Sequence, residues 1–126
     1  MNVINEALNL GDLVKYEEDC LNYSRDLVTV AAGQNLLLGS IVGRDGATGK
    51  VKEINPGAED GTQIPVGILM ANVDATLIDR DDVLLLARHA VVASIAVVWP
   101  VEISSTTVAS ITSQLASIGI LIRQSA

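Results

Sequence analysis

The chain has 126 residues, one domain's worth, and 49% of them are apolar against 18% charged, so it folds around a core and is not a disordered tail. Val, Ile and Leu supply a third of the residues and Ala a further 14, while Phe is absent and the aromatics are Tyr16, Tyr23 and Trp99; such a core favours strands over a large helical bundle. A net charge of −7 disfavours duplex nucleic acid and anionic membranes as partners, since both are held through Lys and Arg, and so few rings make no stacking surface for single strands.

The acidic charge is concentrated at the start, where residues 1–26 hold Glu6, Asp12, Glu17, Glu18, Asp19 and Asp26 against Lys15 and Arg25. Over MNVINEALNLGDLVKYEEDCLN the residues Val3, Ile4, Leu8, Leu10, Leu13 and Val14 are too dense for an idle tail. Gly11 and the Glu17-Glu18-Asp19 cluster interrupt any long periodic pattern. Residues 1–23 therefore read as an extended or irregular arm, with Leu13, Val14, Tyr16 and Tyr23 as its anchors, ahead of a β-rich domain over 24–126. Cys20 is the single cysteine, which excludes an intrachain disulfide and a multi-cysteine metal site and suits a reducing compartment. No basic segment followed by an apolar run opens the sequence, so no secretory leader is expected. Neither apolar stretch reads as a membrane span: Arg88 and His89 interrupt residues 83–101, and nine of the twenty residues from Ile103 to Ile122 are Ser, Thr or Gln. A soluble protein is expected.

From Arg25 onward strand signals alternate with turn residues. RDLVTVAA (25–32) is β-branched and meets a turn at Gly33-Gln34-Asn35. LLLGSIVG (36–43) reads as the next strand, joined by Asp45-Gly46, a hairpin signal, to the alternating KVKEI (50–54). NPGAEDGTQIP (55–65) reads as a long polar loop and VGILM (66–70) as a buried strand. A polar stretch leads to VLLLARHAVVASIAVVWP (83–100), which reads as two strands split near Arg88-His89 or as one strand bent there, ending at Pro100. Ser104 to Thr107 supply helix-capping residues before Val108, Ile111, Leu115 and Ile118, whose spacing of 3, 4 and 3 makes one apolar stripe, and Gly119 stands where a helix terminates. ILIR (120–123) then reads as an edge strand. The expected fold is mostly β with one C-terminal amphipathic helix, or α+β by strict count.

Several chemistries are disfavoured. GRDGATGKV (43–51) mimics a phosphate loop, but Gly43 is one residue too far from Gly49 and Val51 replaces the hydroxyl that holds magnesium. Nucleophilic catalysis needs a histidine beside the nucleophile, and His89 is the single histidine, inside a strand-like run. Cys20 sits among acids that raise its pKa. The turns Asp79-Arg80-Asp81-Asp82 and Glu59-Asp60-Gly61 lack the ligand spacing of a calcium loop, so no metal and no cofactor is expected.

VTVAAGQNLLLGSIVG (28–43), GAEDGTQIPVGIL (57–69), VDAT (73–76), LARHAVVASIAVVWP (86–100) and LASIGILIR (115–123) together resemble the phage head decoration protein family, over roughly residues 24–123. Their order and spacing carry the likeness; the segment before Arg25 carries least of it. The resemblance implies a small β-rich fold called a β-tulip. It further implies homotrimers at threefold positions on the outside of the expanded icosahedral head, assembled in the host bacterial cytoplasm. Such trimers brace the shell against the pressure of packaged DNA, and their N-terminal arms add strands to the major capsid protein. On that reading Leu13, Val14, Tyr16 and Tyr23 contact the capsid and Lys15 and Arg25 fix register, with main-chain pairing supplying affinity. The protein is then not an enzyme. Three other classes compete: a carbohydrate- or host-surface-binding β module, which would present aromatic rings; a biotinyl- or lipoyl-type carrier, which would present its lysine in a tight hairpin, whereas Lys50 and Lys52 lie in an alternating strand; and a small hydrolase, which would depend on His89.

Overall fold

A computed structural model describes residues 13–17 and 24–124, over which ten strands and one α-helix are laid out. Five strands close a barrel: β2 (Arg25–Val30), β4 (Ile41–Arg44), β5 (Val51–Glu53), β6 (Pro65–Leu69) and β8 (Arg80–Leu86), in the order β2-β5-β4-β6-β8. The interior is filled by branched aliphatics, among them Val28, Val30, Val42, Val51, Leu69, Val83 and Leu85. Such side chains suit a pleated surface because their stiff χ1 costs little there.

Part of the barrel wall is buried on both faces. Successive side chains of a strand point to opposite sides, so Leu69 faces the barrel interior while Ile68 faces a second core, and Leu85 and Leu86 divide in the same way. The second core lies between this wall, helix α1 (Ser105–Ser117) and a three-stranded sheet of β1 (Val14–Glu17), β9 (Ala90–Ala93) and β10 (Ile120–Arg123), ordered β1-β9-β10. β10 runs parallel to β9, and parallel neighbours need a crossover, which α1 provides. Ser104 caps the helix, its Oγ accepting the Thr107 N–H at 3.1 Å. Ile111 and Leu115 of the stripe are buried, Val108 and Ile118 half-buried, and Gly119 leaves the helix at φ 89°. That left-handed conformation suits a residue with no side chain.

The mostly-β fold with a C-terminal helix is the one expected, and so are the break at Arg88-His89 and the hairpin between β4 and β5. Four local expectations are corrected. Residues 36–43 do not form one strand: β3 (Gln34–Leu36) ends there and pairs with β7 (Val73–Ala75), and Gly39 turns the chain at φ 95° before β4 begins. The expected turn at 33–35 is thus half strand, and the polar stretch after Met70 hides β7. In the hairpin the left-handed residue is Gly49 (φ 74°), because the loop spans residues 45–50 and closes with the Gly49 N–H on the Asp45 carbonyl. Beyond Ala93 the chain makes a 3₁₀ turn over Ser94–Ala96 and a single bridge between Val98 and Ser40, so strand β9 ends well before Pro100.

Candidate functional site

Of the residues expected to reach the shell, Val14, Lys15 and Tyr16 lie in β1, on the sheet β1-β9-β10, and Leu13 just before it. β1 pairs antiparallel with β9, Val14 opposite Val92, Tyr16 opposite Val91 and Glu17 opposite Ala90, with a bulge between Val14 and Tyr16. Leu13, just before the strand, is fully buried in the second core with Ile41, Ile68, Leu86, Leu115 and Ile120. Burial of one leucine stabilises by about 1.5–3 kcal/mol, as much as one or two neutral hydrogen bonds of the strand beside it. Val14 is half-buried and packs on the same core, and Lys15 is exposed. Tyr23 lies outside the described residues.

The chain re-enters at Ser24, whose buried carbonyl accepts the N–H groups of Ala87 at 2.7 Å and Arg88 at 3.4 Å. Arg25 follows in β2, half-buried and opposite Leu86. Asp26 pairs with the Arg88 guanidinium at 2.7 Å. Glu17 opposite Ala90 and Ser24 on Ala87 thus both meet the body at one corner, the turn from β8 to β9. His89 takes φ 54° in this turn.

Beside the corner lies an open concavity of about 770 Å³, lined in part by Asp26, Arg44, Ile64, Arg88, His89 and Ser117. Asp, His and Ser on one concavity invite comparison with a hydrolase triad, which sequence spacing did not suggest. Their hydrogen bonds assign them elsewhere: Asp26 is paired with Arg88, and the Ser117 hydroxyl donates to the Gln114 carbonyl at 2.6 Å. A triad needs the serine proton directed at the imidazole and the carboxylate behind it.

The other candidate side chains are engaged in holding turns. Asp45 accepts the Ala47 N–H at 2.8 Å, which lowers its pKa. Asp60 is lowered by the Thr62 hydroxyl at 2.6 Å and by the Thr62 N–H. Asp79 is lowered by the Lys50 ammonium and by the Ala32 N–H, and the same pairing raises Lys50. Lys50 and Lys52 are therefore ion-paired, to Asp79 and Asp45, and neither stands at a free hairpin tip as a carrier lysine does. Trp99 is half-buried against the second core, which leaves little ring to stack on a sugar.

Aliphatic side chains do face solvent. Leu27 on β2, 65% exposed, stands opposite Leu84 on β8, and Leu77, Ile95 and Val101 are about nine-tenths exposed.

No curated protein matches the chain at a significant level. The family model for bacteriophage lambda head decoration protein D matches residues 3–120, taking in β1, the barrel and the helix, and the chain belongs to that family.

Proposed function

We propose that the protein cements a phage head: it binds as trimers at threefold sites on the outside of the expanded shell and braces it against internal DNA pressure. Family membership makes it a structural, capsid-associated protein of the phage virion. The observation that carries the finer reading is the arrangement of a closed barrel with an N-terminal segment rooted on an outlying sheet. A rigid body with an aliphatic, partly wet exterior suits a surface trimer, and an N-terminal arm suits strand addition to the major capsid protein. Three arms on one body convert weak single contacts into tight attachment through effective concentration. Assembly in the host bacterial cytoplasm agrees with a sequence that holds a single cysteine, Cys20. The clamp acts by binding alone and calls for no catalytic group or cofactor. A site that exists only after expansion stabilises only the expanded shell, by linkage.

The test is co-sedimentation with cognate shells, expanded and unexpanded, using the full chain and one lacking residues 1–12. A cut after residue 22 would also remove buried Leu13 and strand β1, and so confound loss of the arm with damage to the core. Binding to expanded shells only, greatly weakened by the shorter cut, is the expected result. Binding to neither shell overturns the proposal.

A further inference from the structure

We infer that β1 is the fixed root of the arm, staying on the body when the shell is bound, and that Leu13 is the residue that positions the arm by plugging the core at that root. The inference rests on the shell-binding reading and redraws its boundary: the segment that reaches outward ends at residue 12, not 23. Three observations carry it. Leu13 is fully buried among side chains of the barrel wall, the helix and β10, so withdrawing it opens a hole in the second core. β1 is paired over its length with β9, the middle strand of its sheet. Ser24, on the far side of residues 18–23, is pinned to Ala87 and Arg88 at the same corner.

The consequence is a short tether. With β1 seated, a shell contact made within residues 1–12 is at most 12 residues from the body; with β1 released the tether runs to Ser24 and reaches 23. Effective concentration falls as roughly the three-halves power of tether length, so release weakens attachment about threefold for each arm, and more for contacts nearer Leu13.

Two experiments test this with the full chain and expanded shells. In the first, Glu17→Cys and Ala90→Cys, with Cys20→Ser, place a disulfide across a directly opposed pair, whose Cα spacing of about 4.5–5.5 Å suits the bond. The expected result is equal shell binding in the oxidised and reduced forms, within about twofold of each other, well inside the tenfold that 1.4 kcal/mol represents. Binding lost on oxidation and restored on reduction would show that β1 must leave the body, and would overturn the inference. In the second, Leu13→Ala is compared with Leu13→Met by shell affinity and by hydrogen exchange at the β9 amides. Faster exchange at Val91, whose N–H faces β1 because that of Ala90 bonds Gly119 on the opposite side, together with a loss of about threefold or more in affinity is expected for Ala, with Met restoring both. Faster exchange with unchanged affinity overturns it. Failure of the unaltered chain to bind any shell is a different result, the failure of the shell-binding reading, and is read before either variant is made.

Discussion

A β-carbon added at Gly39 would stand 2.2 Å from the carbonyl oxygen of Ala96. Backbone meets backbone here, with no flexible side chain to give way. Gly39 sits at φ 95° and binds on both sides: its N–H donates to Leu69 and its carbonyl accepts from Val98, each at 2.9 Å. It therefore ties the barrel wall to the segment that follows β9. Gly39→Ala is expected to lower stability by at least about 2 kcal/mol, combining an unfavourable φ with the clash. The check is a urea titration, in which the midpoint falls while the slope holds.

Helix α1 attaches to the body through Leu115 and Ile111, which are 0% and 2% exposed. Leu115→Ala is expected to cost about 2–5 kcal/mol, because the wall strands on the other side cannot collapse into the gap. Ser113, on the wet face of the same helix, is the control: Ser113→Ala should stay within about 0.5 kcal/mol of the unaltered protein. Thermal unfolding of the two variants side by side separates packing from helix propensity.

Ser104 holds the first turn of that helix by accepting the Thr107 N–H. Ser104→Ala leaves this donor without its side-chain partner and is expected to cost about 1 kcal/mol. Ser104→Asp should preserve stability, since a carboxylate caps equally well and favours the positive end of the helix dipole. Equal losses for Ala and Asp in denaturant titrations would show that the cap contributes nothing.

Acid should weaken the fold in a narrow range. Asp45, Asp60, Asp74 and Asp79 all lie below the ordinary aspartate value of 3.8, held down chiefly by the Ala47 N–H, the Thr62 hydroxyl, the Thr76 hydroxyl and the Lys50 ammonium respectively. A carboxylate with a depressed folded pKa contributes stability that is fully present above its unfolded value and lost as pH falls through the folded one. Stability from this source is therefore level above about pH 5 and declines once the pH drops below the ordinary value. Lys50, raised above 10.5 by Asp79, acts in the opposite sense: its contribution holds below that value and is lost as pH rises through the folded pKa. Urea midpoints from pH 2 to 11 should show both shoulders, and Asp79→Asn should diminish each of them.

Much of this architecture is written locally. Ser104, the stripe from Val108 to Ile118 and Gly119 define the helix without reference to anything distant, and the alternation of KVKEI and the apolar run VGILM mark β5 and β6. The two short strands β3 and β7 escape such reading because QNL and VDA are too brief to show a period of two and acquire their identity from each other. Gly39 looks like a glycine inside an apolar strand until the approach of Ala96 explains the turn. Leu13 is the instructive case for the site. Within the first 14 residues it is one of several large aliphatic side chains, and only partners scattered from Ile41 to Ile120 distinguish it. Lys15 and Arg25 could be named from their charge in an acidic region, but not the corner that brings Ser24 and Glu17 together.

β9 has one neighbour from near the beginning of the chain and another from near its end, β1 on one side and β10 on the other. On the ribosome, β1 emerges before its partner and must wait for residues 90–93 to pair, and the core that receives Leu13 is completed only when Ile120 follows. At about 5–20 residues per second that interval lasts several seconds. Contacts of such long sequence separation also form slowly, since the loop must close before they are gained. Strand β1, made before its partners, is thus settled only after them, once β9, the helix and β10 are there to receive it and Leu13.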